Sequence, residues 1–187
     1  SWHSEMAIIS PSQWLSQCIR KSALLKHNVT YTLPNVLDMT VFKPFDKKMC
    51  RHILNIKEIK KIILFGAFGG STDLRKCYDL LIEAIKILAT NYVYAKDVQC
   101  LIFGQSRPEN DIALPVEAKW LGHVYDDTTL ALIYNAANVM VVPSRQDNLP
   151  QTATEAQACG CPVVAFNCTG FPDIISHKET GYLANPY

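Results

Sequence analysis

Residues Val139 to Cys168 read V-M-V-V-P-S-R-Q-D-N-L-P-Q-T-A-T-E-A-Q-A-C-G-C-P-V-V-A-F-N-C. The apolar run Val139–Val142 predicts a fully buried strand, ended by Pro143, which has no N–H to give to a ladder. A polar loop with Arg145, Asp147 and Asn148 follows. Gln151 to Cys159 then predicts a helix, with Asn148 as candidate N-cap, Pro150 in the first turn and Gly160 at the stop. Pro162 bars continuation, and Val163–Phe166 reads as the next buried strand. The unit is strand, loop, helix, strand, with two carboxylates in its middle.

Those carboxylates stand at a helix N-terminus, where free N–H groups and the positive dipole end favour an anion. Glu155, a turn into the helix, can accept from ribose hydroxyls while phosphates rest on the amides. Asp147, just before it, can bind sugar hydroxyls or stabilise positive charge. Spacing alone equally allows Asp147 to cap the helix and Glu155 to be solvated.

The pattern repeats upstream. Glu5–Ser10 predicts a strand, Ser12 caps a helix running to about Leu25, and Asn28–Leu33 predicts another strand. Asp46–Ile56 reads as a short helix and Lys60–Phe65 as a buried strand. A glycine-rich loop from Gly66 to Asp73 leads into a predicted helix Leu74–Ala89, with Leu80, Leu81, Ala84, Ile85 and Leu88 on its apolar stripe. Strands are predicted at Val98–Phe103 and Ala118–Leu121, and Asp127 is the candidate cap of a helix Thr128–Ala136. Alternating strands and amphipathic helices imply a parallel, doubly wound sheet, with ligands at the carboxyl ends of the strands after Phe65, Gly104, Leu121 and Val142.

The block Pro143–Phe166 resembles the signature of retaining GT-B glycosyltransferases of family 4: Pro-Ser, an acidic residue, seven residues, Glu-Ala and a closing A-x-G-x-P-V-V-A. Asp147 stands where that family usually has Glu, and Glu155 stands at its second Glu. Pro34–Pro44 resembles the family's N-G-V-D-x-x-x-F-x-P crossover, with Leu37 for the usual Gly. Gly66 and Lys76 match its Gly-Arg and Lys-Gly positions, while Ala67 and Cys77 replace the Arg and the second Gly. Phe171–Ile175 and Gly181–Leu183 are similar to its closing P-E-x-I and G-x-L, with Asp173 for Glu.

The resemblance implies an α/β, Rossmann-like sheet forming the C-terminal half of a GT-B fold. Residues 1–37 would end the N-terminal acceptor domain and its crossover; residues 38–187 would be the donor-binding domain, truncated at its C-terminus. It implies transfer of a glycosyl group from a nucleotide-diphosphate sugar, UDP- or GDP-linked, with retention at the anomeric carbon. Gly66, Lys76, Arg75 and the helix mouth at Asn148, Leu149, Gln151 and Thr152 would hold the diphosphate. Glu155 would hold the ribose, His123 would lie near the base, and Asp147 would orient the sugar; Lys76, Asp147 and Glu155 form the expected catalytic set. Neither metal nor cofactor is expected. The acceptor, a glycan or lipid-linked glycan, would be bound through the rest of the acceptor domain, so this chain alone is expected to bind nucleotide without turnover. The alternatives are a non-catalytic nucleotide-sugar-binding domain and a GT-B relative such as a nucleotide-sugar epimerase.

Composition sets the bounds. In 187 residues, 49% are apolar and the net charge is +1, which supports a substantial core and gives no support to nucleic-acid binding. No apolar run is long enough to span a bilayer, and Ser1–Glu5 is no signal peptide. The absence of a starting Met reads as an excised piece of a longer protein. Seven scattered cysteines without C-x-x-C point to a reduced, cytoplasmic protein, with peripheral membrane contact left open for the full-length form. Cys159, Cys161, Cys168 and His177 fit no standard zinc spacing.

Overall fold

The structure is a computed structural model that describes residues 6–66, 73–108 and 113–186. Ala67, at the expected arginine position, and the rest of the glycine-rich loop to Thr72 lie outside the described residues. Among the described residues there are two parallel sheets. The first is small: β1 (Ala7–Ser10) pairs with β2 (Val29–Thr32) across helix α1 (Gln13–Lys21). Ser12 caps α1 as expected, its Oγ accepting the Leu15 amide at 3.1 Å. The helix stops at Lys21 rather than near Leu25, because Ser22 turns extended and its Oγ accepts the Leu24 and Leu25 amides at 3.3 Å each.

The second sheet has six strands: β3 (Lys61–Gly66), β4 (Val98–Phe103), β5 (Glu117–Gly122), β6 (Val139–Val142), β7 (Val163–Phe166) and β8 (Gly181–Ala184). Their spatial order is β5-β4-β3-β6-β7-β8, all parallel. The chain winds outward from β3 to β5, returns to β6 beside β3, and winds outward again to β8. This is the expected doubly wound, Rossmann-like sheet, and its switch point is the β3–β6 seam.

Helices α2 (Lys47–Ile53), α3 (Tyr78–Asn91), α4 (Asp127–Ala136) and α5 (Gln151–Ala158) complete the layers. Successive strand residues point to opposite faces. Ile62 and Leu64 of β3 join one core cluster with Cys50 of α2, Tyr134 of α4 and Ala153 of α5. Phe65 joins the other with Tyr78, Leu81, Ile82 and Ile85 of α3. Buried Arg51 ties the layers together, donating to the carbonyls of Ala136 and Glu58 and to Asn138 Oδ1, which also accepts the Ile62 amide. Among the described residues no helix is long and apolar enough to cross a membrane.

Three expectations are corrected. Helix α3 begins at Tyr78 instead of Leu74, because Cys77 sits at φ 54°, ψ 49°, in the left-handed region. Its core face is Tyr78, Leu81, Ile82 and Ile85; Ala84 is exposed. The cap of α4 is Asp126, whose extended backbone lets its carboxylate accept the Thr129 amide at 2.7 Å, and Asp127 is already helical.

Candidate functional site

The loops after β3 and β6 meet at the switch point. Residues Leu74–Lys76 form a turn held by Asp73, whose carbonyl accepts the Lys76 amide and whose Oδ1 accepts the Arg75 amide, both at 2.9 Å. Arg75 and Lys76 therefore precede the helix, and helical geometry does not dictate their directions. Arg75 turns back on Asp73, with Nη2 2.8 Å from Oδ2, and Asp73 is held below the usual carboxylate range by those bonds. Lys76 reaches the other way, placing Nζ 2.6 Å from Asp147 Oδ2.

The β6 loop is locked to this turn. The Arg145 amide donates to the Arg75 carbonyl at 3.1 Å, and the Arg145 guanidinium donates to buried Cys77 Sγ at 3.2 Å. Thr169 Oγ1 accepts the Asp147 amide at 3.3 Å, and the Gly170 amide donates to the Asp147 carbonyl at 3.1 Å. Gly170 is required there: a Cβ on it would stand 1.4 Å from the Asn148 carbonyl oxygen. Gly66 serves packing in the same manner, since its Cβ would meet the Phe103 ring at 2.0 Å.

Helix α5 opens at Pro150, which has no N–H and offers no side-chain cap. Asn148 is not the cap. Its Oδ1 instead accepts Ser12 Oγ–H at 2.6 Å, fastening α1 over the site. Asp173 adds a second tie by accepting the Gln13 amide at 2.5 Å. Leu149 is buried, and Gln151 and Thr152 open the first turn, where their amides have no intrahelical acceptor; the Ala153 amide already donates to the Pro150 carbonyl at 3.1 Å.

Glu155 is half-buried, and its Oε2 accepts the hydroxyl of fully buried Tyr134 at 2.7 Å. Burial raises the Glu155 pKa above its ordinary 4.5, with the Tyr134 hydrogen bond opposing. The reading of a solvated Glu155 is thereby corrected, since its carboxylate is oriented by a rigid core donor.

A cavity of about 310 Å³ opens at the seam, lined by Trp14, Arg75, Lys76, Gln146, Asp147 and Asn148. Of the expected site residues it gathers Arg75, Lys76, Asp147 and Asn148. Gly66, His123, Leu149, Gln151, Thr152 and Glu155 are not in its lining. His123 is exposed beyond β5 and stacked on Tyr125, with ring centroids 5.9 Å apart. Trp14, Gln146 and Tyr134 were not foreseen as site residues. Trp14 and Tyr134 read locally as helix-face aromatics, and nothing nearby in sequence points either to its partner. Cys159 and Cys161 are buried, and His177 Nδ1 accepts the Leu183 amide at 3.1 Å. Among the described residues no group of three or more His, Cys, Asp or Glu is arranged to hold a metal.

Residues 60–187, more than half of the chain, match the family described as "Glycosyl transferases group 1". The chain belongs to the group 1 glycosyltransferases.

Among similar members is the D-inositol 3-phosphate glycosyltransferase of Mycobacteroides abscessus, 33% identical over 159 residues, covering 79% of this chain and 33% of that protein. The corresponding enzyme of Segniliparus rotundus is 31% identical over 170 residues, covering 83% of this chain and 35% of that protein. The sucrose-phosphate synthase of Thermosynechococcus elongatus superposes with a TM-score of 0.78 at 27% identity, over 96% of this chain and 45% of its own. The C-terminal domain of a group 1 glycosyltransferase from Francisella tularensis superposes at 0.62 with 22% identity, over 81% of this chain and 80% of that domain. This glycosyltransferase chain thus spans about a third of the length of the curated relatives it matches.

Proposed function

We propose that this chain is the donor-binding lobe of an enzyme that transfers a glycosyl group from a nucleotide-diphosphate sugar, with retention at the anomeric carbon. The observation that carries this reading is the Lys76–Asp147 pair beside the α5 mouth, with Glu155 a turn further on. Family membership supports it, as do structural neighbours described as complexes with UDP or UDP-glucose, at 20% and 19% identity. Residues up to about 37 then belong to the acceptor lobe, and the acceptor itself is a glycan or lipid-linked glycan held mainly there.

In this mechanism the diphosphate rests on the first-turn amides of α5 and takes Lys76 from Asp147. Lys76, with Arg75 at the rim, neutralises the charge that grows on the leaving diphosphate. Such a preorganised donor contributes on the order of 3 kcal/mol to the transition state. Asp147, released from its ion pair, faces the transferred sugar and favours the positive charge developing at its anomeric carbon. Glu155, aimed by Tyr134, accepts from the ribose hydroxyls. Protein cations and the dipole serve the phosphates, so no metal enters the scheme.

Thermal unfolding with UDP, GDP, ADP and their sugar esters tests the binding half. Ligand at a hundredfold its Kd adds about 2.7 kcal/mol of stability, and stabilisation by none of them overturns the reading. In the full-length enzyme, Asp147→Ala and Glu155→Ala should each abolish transfer; activity surviving both removes the catalytic assignment and favours a non-catalytic binding domain.

A further inference from the structure

Among the described residues Trp14 is the one aromatic in the cavity lining, and it comes from α1, while the other five come from the loops that precede α3 and α5. Its place is fixed by the cap residue before it: Ser12 Oγ–H donates to Asn148 Oδ1 at 2.6 Å, and the next amide, of Gln13, is held by Asp173. The indole is half-exposed. Among the described residues it makes no hydrogen bond, ring contact or cation–π pair. Trp120, by contrast, packs against Tyr78 with ring centroids 6.0 Å apart. Trp14 is thus an unengaged aromatic surface held firmly against a lysine, an aspartate and two side-chain amides.

We propose that Trp14 is a specificity-determining platform for the transferred sugar, its indole stacking on the apolar face of a pyranose whose hydroxyls turn to Asp147, Asn148 and Gln146. The chemistry on both sides of the cavity fits. An indole face is apolar and carries the negative lobe of a quadrupole. It suits the C–H face of a sugar ring, and suits it better as that ring gains positive charge. The size fits too. At about 310 Å³ the cavity lies at the small end of the roughly 300–1,000 Å³ of small-molecule sites. It has room for a pyranose with part of the diphosphate, and ribose and base fall outside it, as Glu155 and His123 do. The proposal rests on the nucleotide-sugar reading above and adds the surface that distinguishes the sugar ester from the bare diphosphate.

The test measures Kd by calorimetry for UDP, GDP and ADP and for their glucose and mannose esters, with the wild-type chain, Trp14→Ala and Trp14→Phe. The expected result is that Trp14→Ala weakens the preferred sugar ester roughly tenfold, leaves the matching bare diphosphate unchanged, and is largely rescued by Trp14→Phe. Retained diphosphate binding also shows that the variant is folded. An unchanged ratio of sugar-ester to diphosphate affinity in Trp14→Ala overturns the proposal and leaves the donor-lobe reading standing. Equal weakening of both ligands also overturns it. Wild-type protein that binds none of these ligands refutes the donor-lobe reading itself, and Trp14's role with it.

Discussion

Lys76 Nζ lies 2.6 Å from Asp147 Oδ2, with the two side chains 28% and 16% exposed. They are 71 residues apart in sequence and are joined only because β3 and β6 are neighbours. This pair joins an acidic and a basic group to which the proposed mechanism gives separate tasks. In the proposed mechanism the diphosphate competes with Asp147 for the ammonium, and that competition would have a signature. Asp147→Asn should tighten nucleoside diphosphate binding several-fold by releasing Lys76, while ending transfer in the full-length enzyme. Lys76→Met should weaken diphosphate binding roughly 10- to 100-fold and leave an uncompensated carboxylate in the site. Calorimetry with the best-binding diphosphate checks both; a loss of affinity in Asp147→Asn would count against the exchange.

Glu155 supplies a pH test. Burial raises its pKa above the ordinary 4.5, so the folded state holds this proton more tightly than the unfolded chain does. Stability contributed by this group is therefore greatest below the ordinary value and falls as pH rises through the raised one. Asp73 and Asp126 are lowered and work in the opposite sense at more acidic pH. The wild-type-minus-variant difference isolates Glu155. In urea unfolding across about pH 4 to 8, Glu155→Gln should be relatively less stable at the acid end and equal or more stable at neutral pH. A difference that is flat, or of the opposite slope, contradicts the burial assignment.

Gly170 supports the Asp147 loop from beneath. The Cβ of alanine would enter the Asn148 carbonyl, a backbone atom that cannot rotate aside. Gly170→Ala should cost about 3 kcal/mol in urea unfolding, at the upper end of overpacking penalties. It should also weaken nucleotide binding by displacing Asp147 and the α5 mouth. A variant as stable as wild type would mean that this loop yields easily.

Cys77 holds the left-handed position that ends the Lys76 turn, and its side chain is fully buried. Glycine there relieves backbone strain of about 1–2 kcal/mol and loses the buried thiol, so Cys77→Gly should fall within about 1 kcal/mol of wild type. Cys77→Val adds a β-branched side chain at positive φ and should cost about 2 kcal/mol or more. Melting of the two variants side by side decides; equal stability would show that backbone conformation does not govern this position.

The elements were legible where the evidence for them is local. Strands of a parallel sheet are buried on both faces, so Lys60–Phe65, Val98–Phe103, Val139–Val142 and Val163–Phe166 stand out as apolar runs. Ser12 was readable as a cap because a cap and its amide lie three residues apart. The misread boundaries at Leu74, Asp127 and Asn148 have one origin. Each depended on a backbone conformation, or on a remote partner, that residue type alone does not specify.

What the sequence by itself determined is the alternation of strand and helix, hence the doubly wound class, together with the residue types carried at the strand ends. What only the tertiary structure decided is which of them meet. Ser12 finds Asn148 across 136 residues, Tyr134 orients Glu155, and Trp14 closes a cavity built by loops of the other sheet. The physical reason is that hydrophobic period and capping act within a turn or a strand. Contacts at a switch point depend on strand order and register, which the whole packed sheet fixes at once.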